Sequence, residues 1–163
     1  MPIPASPSRP GAAATVLALF HQVHEQLRDE LRGLDHRGLH WAPAPGANSI
    51  ATIVTHLVGS EAETLRCVAG VASSRDREAE FAGEAVTMGA VAALLDAADD
   101  LLGELEPCID PDRLDAAFPL PTLPADEARP GLSWLVGNYG HAREHVGHVQ
   151  LTRQLYGRHG AGP

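Results

Sequence analysis

The sequence predicts an all-α protein: a four-helix bundle with a long Pro-rich connection between helices three and four. Three observations carry this. Four segments repeat apolar residues every three or four positions, the period of one helix face. No segment alternates apolar and polar residues as a half-buried strand would. Residues 107–131 hold Pro107, Pro111, Pro119, Pro121, Pro124 and Pro130, which interrupt regular structure between two strongly periodic stretches. A chain of 163 residues suits one domain with its own core. Aromatic residues make up only 4%, so that core must come from Leu, Val, Ile and Ala.

The chain opens on "MPIPASPSRPG", residues 1–11, whose Pro and Ser content predicts a disordered lead-in. It lacks the apolar run of a secretory signal. The first helix is expected from about Ala12 to Leu34, with Val16, Phe20, Val23, Leu27, Leu31 and Leu34 on one face. Prolines and glycines in "GLHWAPAPGA" then stop regular structure. The second helix begins near "NSIATIVTHL", where the Asn48 or Ser49 side chain can accept from an orphan N–H. Its stripe is Ile50, Val54, Leu57, Glu61, Thr64 and Val68, apolar except for Glu61 and Thr64.

The polar segment "SSRDREAEFAGE" separates it from the third helix, where Val91, Leu94, Leu95, Ala98, Leu101, Leu102 and Leu105 form the strongest stripe. Asp96, Asp99, Asp100, Glu104 and Glu106 fill its solvated faces. A connection as long as 107–131 is uncommon in a compact domain; a crossover between helices or a lid over a site would explain it. The fourth helix is expected from about Leu132 to Tyr156, with Gly157 as its stop. The bundle thus spans residues 12–157 and a short tail spans 158–163. No internal repeat is present.

The formal charge of −9, with no Lys/Arg cluster, repels phosphate backbones, so no nucleic-acid partner is expected. No run of eighteen apolar residues exists to span a membrane. Cys67 and Cys108 lack metal-motif spacing and pair only if the fold brings them together. A reduced cytoplasmic setting is the default.

The fourth helix carries two adjacent stripes. One is Leu132, Leu135, Tyr139, Ala142, Val146 and Val149. Beside it run Trp134, Asn138, His141, His145, His148, Thr152 and Leu155. A core-facing surface is wide enough for both stripes, so the imidazoles and the amide point inward or into a cleft, where they need partners. Two histidines at i and i+4 lie one above the other and can share a cation. The sequence reads "HAREH" rather than H-E-x-x-H, so the metalloprotease general base is missing. Such a pair is also compatible with a hydrogen-bonded core pair or a surface pair. A third ligand from another helix would favour a metal, and His56 is the candidate, with Ile53, Ser60 and Glu63 on its face. His21 and His24 read as a partly exposed flank of the first helix, while His36, His40 and His159 carry no assignment.

These residues resemble the DinB-like superfamily, the DNA-damage-inducible-type bundles that include bacillithiol and mycothiol transferases. The segment "GLHWAPAPGANSIATIVTHLVGSE" is similar to one family signature through Trp41, Pro45, Gly46, Asn48, Ser49, Ile50, His56, Leu57 and Glu61. "HAREHVGHVQLTRQL" resembles the second through His141, His145, Gly147 and Arg153, with His148 where the family commonly has Gln. The resemblance implies a DinB/YfiT-like four-helix bundle. It implies a divalent metal on His56, His141 and His145, zinc or nickel first, iron or manganese as alternatives. Three neutral imidazoles leave positions open for water or substrate.

The function so implied is a metal-dependent S-transferase joining a low-molecular-weight thiol to an electrophile. Asn138 and His148 would orient the ligands or the reacting atom. A metal-dependent hydrolase or isomerase is the alternative; it lacks an obvious general base, since Glu63 is the one carboxylate that falls on the face of His56. A non-catalytic metal- or ligand-binding stress protein is the third reading. The expected partners are a small thiol and an electrophile, and the resemblance extends to a homodimer.

Overall fold

The computed structural model describes residues 11–81 and 86–160. Residues 1–10 of the expected lead-in, 82–85 of the polar segment and 161–163 of the tail lie outside the described residues. Four long helices form the body: α1 (Ala12–Leu31), α3 (Ile50–Ala69), α5 (Met88–Leu105) and α7 (Gly131–Leu155). Three five-residue helices join them: α2 (His36–His40), α4 (Arg77–Phe81) and α6 (Pro111–Asp115).

The expected apolar stripes form most of the core, but Leu132, expected on the inner face of the last helix, is exposed in its first turn. Phe20, Val23 and Leu27 of α1, Val54 and Leu57 of α3, Leu95 and Leu102 of α5, and Leu135 and Val149 of α7 are all buried. Truncating one of these leucines to alanine costs about 2–5 kcal/mol. Ser49 caps α3, its hydroxyl accepting from the Thr52 N–H, and Thr87 does the same for α5 through Ala90.

α7 packs against both α3 and α1, and α5 packs against the same two. The pairs α1/α3 and α5/α7 therefore face each other across the diagonals. Chain neighbours on a diagonal cannot be joined by the short turn of an antiparallel hairpin. This is why the α1-to-α3 and α5-to-α7 connections are long, and it gives the Pro-rich segment its role as a crossover.

Several local expectations need correction. α1 ends at Leu31, not Leu34, because Gly33 turns the chain with φ +75°; Leu34 still packs against the core. The segment before "WAPAPG" forms α2, started by Asp35, whose carboxylate accepts from the Gly38 N–H. The Pro-rich connection is not structureless. It holds a 3₁₀ turn (Glu106–Cys108), α6, and two short antiparallel strands, β1 (Ala117–Phe118) and β2 (Arg129–Pro130). The Trp134 indole N–H ties it to α7 through the Phe118 carbonyl at 2.7 Å. Arg113 donates to the Val68 and Cys67 carbonyls, closing the C-terminal end of α3. Gly157 does not stop the last helix. It keeps a negative φ, and the chain continues as a π-helical turn over Tyr156–Gly160.

Cys67 and Cys108 are both free. No helix among the described residues is long and apolar enough to cross a membrane.

Candidate metal centre

The packing of α3 on α7 brings His56 against His141 and His145, which sit one turn apart on α7. One ring nitrogen of each lies within 4.8 Å of the other two. The ring centroids are 5.4 Å (His56–His141), 5.2 Å (His56–His145) and 4.3 Å (His141–His145) apart. Val146 and Ala142, beside the ligands on α7, are buried and set its rotation. Arg143 and Glu144, in the same "HAREH" run, are exposed, so neither reaches the cluster.

His56 is oriented from behind. Its Nδ1 lies 3.0 Å from the Glu80 carboxylate. Arg75 Nη2 also lies 3.2 Å from this nitrogen, so Nδ1 is engaged on the Glu80–Arg75 side and Nε2 is the nitrogen left for a ligand. Arg75 fixes Glu80 with two bonds, 2.6 and 2.8 Å, and also reaches Glu63 at 3.0 Å. Glu80 can lie against α3 because residue 59 is glycine: a Cβ there would collide with the Glu80 carboxylate.

His145 is held differently. Its Nδ1 faces His148 Nδ1 at 3.3 Å, while its Nε2 is buried with no hydrogen-bond partner. Burial, then the neighbouring His141, His56 and His148, pull its pKa down to about 4. Burial and His56 lower His141 as well. Both rings are therefore unprotonated at neutral pH. Close neutral imidazoles with a buried orphan nitrogen are a donor set that a borderline divalent cation satisfies. The residues present fit such an ion.

His148 is exposed and meets His145 on the ring nitrogen away from the orphan, so it lies behind a ligand rather than among the converging nitrogens. Asn138 donates to the Ser60 hydroxyl at 3.0 Å, and its Oδ1 is buried without a partner. Glu63, the carboxylate expected nearest His56, is instead engaged by Arg75 and by the Thr122 hydroxyl at 3.1 Å.

Sequence reasoning missed Glu80 and Arg75. Both lie in the polar segment read as a separator, where no periodicity marks them. Their opposite charges five residues apart are the only trace.

Two clefts reach the cluster. One, of about 570 Å³, is lined by His56, His141, Asn138 and part of the Pro-rich connection, with Arg75, Arg77 and Arg129. The other, of about 280 Å³, touches His145 and His148 and is lined by Pro43, Ile53, Leu151 and Leu155.

A second histidine group corrects the flank reading of α1. His24 is fully buried, not partly exposed. Its Nε2 lies 3.0 Å from Glu61 and its Nδ1 2.6 Å from Asp99. His21 keeps the exposed position and bonds Asp99 at 2.7 Å. Burial opposes the charge on His24, but its bonds to Glu61 and Asp99 overcome this and raise its pKa. Burial likewise raises Glu61. Asp99, though burial works against it, is held low by His24, Arg28 and His21. The sequence did contain a signal: Glu61 sits in the core stripe, and a buried carboxylate requires a partner.

Residues 19–149 match the model of the DinB superfamily. Among solved structures, the chain is similar to YfiT from Bacillus subtilis, described as a probable metal-dependent hydrolase with an unusual four-helix bundle topology. The TM-score is 0.69 at 15% identity, covering 97% of this chain and 94% of that one. No curated protein sequence matches.

Proposed function

The chain belongs to the DinB superfamily, and from that premise we propose that it is a divalent-metal enzyme that joins a low-molecular-weight thiol to an electrophilic carbon. His56, His141 and His145 would hold the ion. The observation that carries this is the buried, unpartnered Nε2 of His145 inside a cluster of three converging imidazoles. When bound, the ion supplies the Lewis acidity that lets a thiol lose its proton at neutral pH.

The protein's own residues do the rest. Glu80 engages His56 Nδ1 and Arg75 holds Glu80. The Cys67 thiol is pushed up by burial and by Glu63, which makes it a poor nucleophile. Zinc or nickel suits a three-nitrogen set, with iron or manganese as weaker fits.

A metal-dependent hydrolase is the second reading, favoured by the description of the structurally similar Bacillus protein. Hydrolysis needs a free base for water. Both carboxylates near His56, Glu63 and Glu80, are tied to Arg75, and this favours the transferase.

The test is elemental analysis of the purified protein, then a screen of small thiols against electrophiles with and without the metal. Stoichiometric metal and metal-dependent thiol consumption are expected. A protein that neither carries nor takes up a divalent metal overturns the site. Metal-dependent hydrolysis without thiol consumption overturns the transferase, and a loaded protein that turns over nothing leaves the non-catalytic binder.

A further inference from the structure

The larger cleft beside the cluster has an unusual charge for this chain. There are 21 acidic residues against 12 basic ones, and most arginines that touch a carboxylate do so tightly, as Arg28, Arg32 and Arg75 do. Arg77 and Arg129 are different. Arg77 lies over the Phe81 ring, 5.2 Å from its centroid, and makes no ion pair among the described residues. Arg129 lies over Trp134 at 4.9 Å, and its only carboxylate contact among the described residues is an exposed one at 3.5 Å with Glu127, two residues away.

Both residues line the cleft that also holds His56 and His141; its one acidic lining residue, Glu63, is already engaged by Arg75 and Thr122. They reach it from separate elements, α4 and β2. Aromatic faces position them and leave their N–H groups for a ligand. Nearer the cluster, the buried Asn138 Oδ1 is an acceptor waiting for an N–H. The opposite groove, at His145 and His148, has a mainly apolar lining and no arginine.

We infer that the larger cleft binds the thiol substrate by a carboxylate at its far end. Arg77 and Arg129 take the carboxylate, Asn138 Oδ1 accepts an N–H of the thiol's amide or amine, and the sulfur end lies toward the three imidazoles. The apolar groove is left for the carbon skeleton of the electrophile. This rests on the transferase reading and adds to it a substrate class: a small, acidic, N–H-bearing thiol.

The test uses three probes on the full chain: N-acetylcysteine, its neutral amide, and N-acetylalanine, which keeps the carboxylate and lacks sulfur. Each is titrated calorimetrically into metal-free and zinc-loaded protein, wild type and the double variant Arg77→Gln, Arg129→Gln. In wild type, N-acetylcysteine should bind about tenfold tighter than its amide, the share of one charge-assisted hydrogen bond. The double variant should lose that preference while keeping its melting temperature and metal content. Zinc should strengthen the two thiols and leave N-acetylalanine unchanged.

Equal binding of acid and amide, survival of the preference in the double variant, or no binding of any probe overturns the carboxylate site. N-acetylalanine matching N-acetylcysteine in the loaded protein overturns its assignment to the thiol. The carboxylate preference is read without metal. Its failure is therefore distinct from failure of the metal site, which shows as absent zinc in wild type.

Discussion

The bundle contains two histidine clusters that look alike by distance and differ in how their close atoms are satisfied, although the Glu61 Oε1 beside the second is also buried without a partner. His56, His141 and His145 bring three ligand atoms within 4.8 Å, and so do His21, His24 and Asp99. In the second cluster each close atom already has a partner. Asp99 accepts from both histidines and from Arg28, and Glu61 takes the far side of His24. In the first, no carboxylate sits among the converging nitrogens, a buried nitrogen is orphaned, and two of the pKa values are lowered rather than raised. Proximity of ligand atoms therefore does not separate the two clusters; the bonding capacity left unmet at those close atoms does. One cluster carries its own counterions and joins α1, α3 and α5, while the other leaves a buried ring nitrogen without a hydrogen-bond partner.

The sharpest way to break this contrast is His145→Ala. It removes the orphaned nitrogen and should abolish stoichiometric metal, a larger loss than any change behind the ligands. Elemental analysis after dialysis reads it. The melting temperature of the metal-free protein should stay the same or rise, since crowded neutral imidazoles are relieved. Retention of full metal would mean that the site lies elsewhere.

His24→Leu should do the opposite. Glu61 loses its one hydrogen-bonding partner in the core, and breaking a buried pair costs about 3–5 kcal/mol. Urea unfolding should show that loss, with metal content unchanged in the protein that remains folded. A variant as stable as wild type would show that the buried pair contributes nothing net, as happens when a well-packed apolar side chain replaces it.

Glu80→Gln tests the link between a charged partner and a ligand. Gln keeps an acceptor but removes the charge, and it can also present an N–H to His56. Metal affinity should fall roughly 10–100-fold, the usual effect of changing the group behind a metal-binding histidine. Competition with a chromophoric chelator measures it. An unchanged affinity would mean that Glu80 serves Arg75 alone.

These residues also mark how far the sequence could be read. The four apolar stripes were legible because burial imposes the 3.6-residue period on them, and most positions they marked are the core, Leu132 excepted. His141 and His145 were legible as a pair because i and i+4 share a face. Their meeting with His56 was not, since helix order around a bundle does not follow from periodicity. That required the family resemblance. Glu80 and Arg75 were invisible because a short polar segment has no period, and its reading as a solvated separator is correct for most such segments. The small β1–β2 ladder escaped because two residues cannot alternate visibly. His24 was misread for a different reason: it was judged on its own helix, while the information sat in Glu61 on another.

The pH dependence of stability separates the clusters most finely, and its effect is the smallest. His24 holds its proton more tightly in the folded chain than its ordinary value of about 6.5 allows. Its contribution is therefore complete below about pH 6.5 and is lost as pH rises through the raised value. Glu61, also raised, has the same sign. Asp99 is lowered, so its contribution is present above about pH 3.9 and is lost only in more acidic solution. His145, with its pKa near 4, and His141, also lowered, leave unbound in the folded chain protons that the unfolded chain still holds near pH 6.5, so their contribution rises with pH and levels off only above about pH 7.5. Chemical unfolding of metal-free protein should thus show stability falling as pH rises above about 7.5, through the raised value of His24. Each proton held only by the folded chain is worth about 1.4 kcal/mol per pH unit. The double variant His24→Gln, Glu61→Gln retains hydrogen-bonding groups and removes both titrating ones, so its stability should be flat across that window. If the slope persists there, the proton is held elsewhere, and the second cluster is not the self-neutralised counterpart of the first.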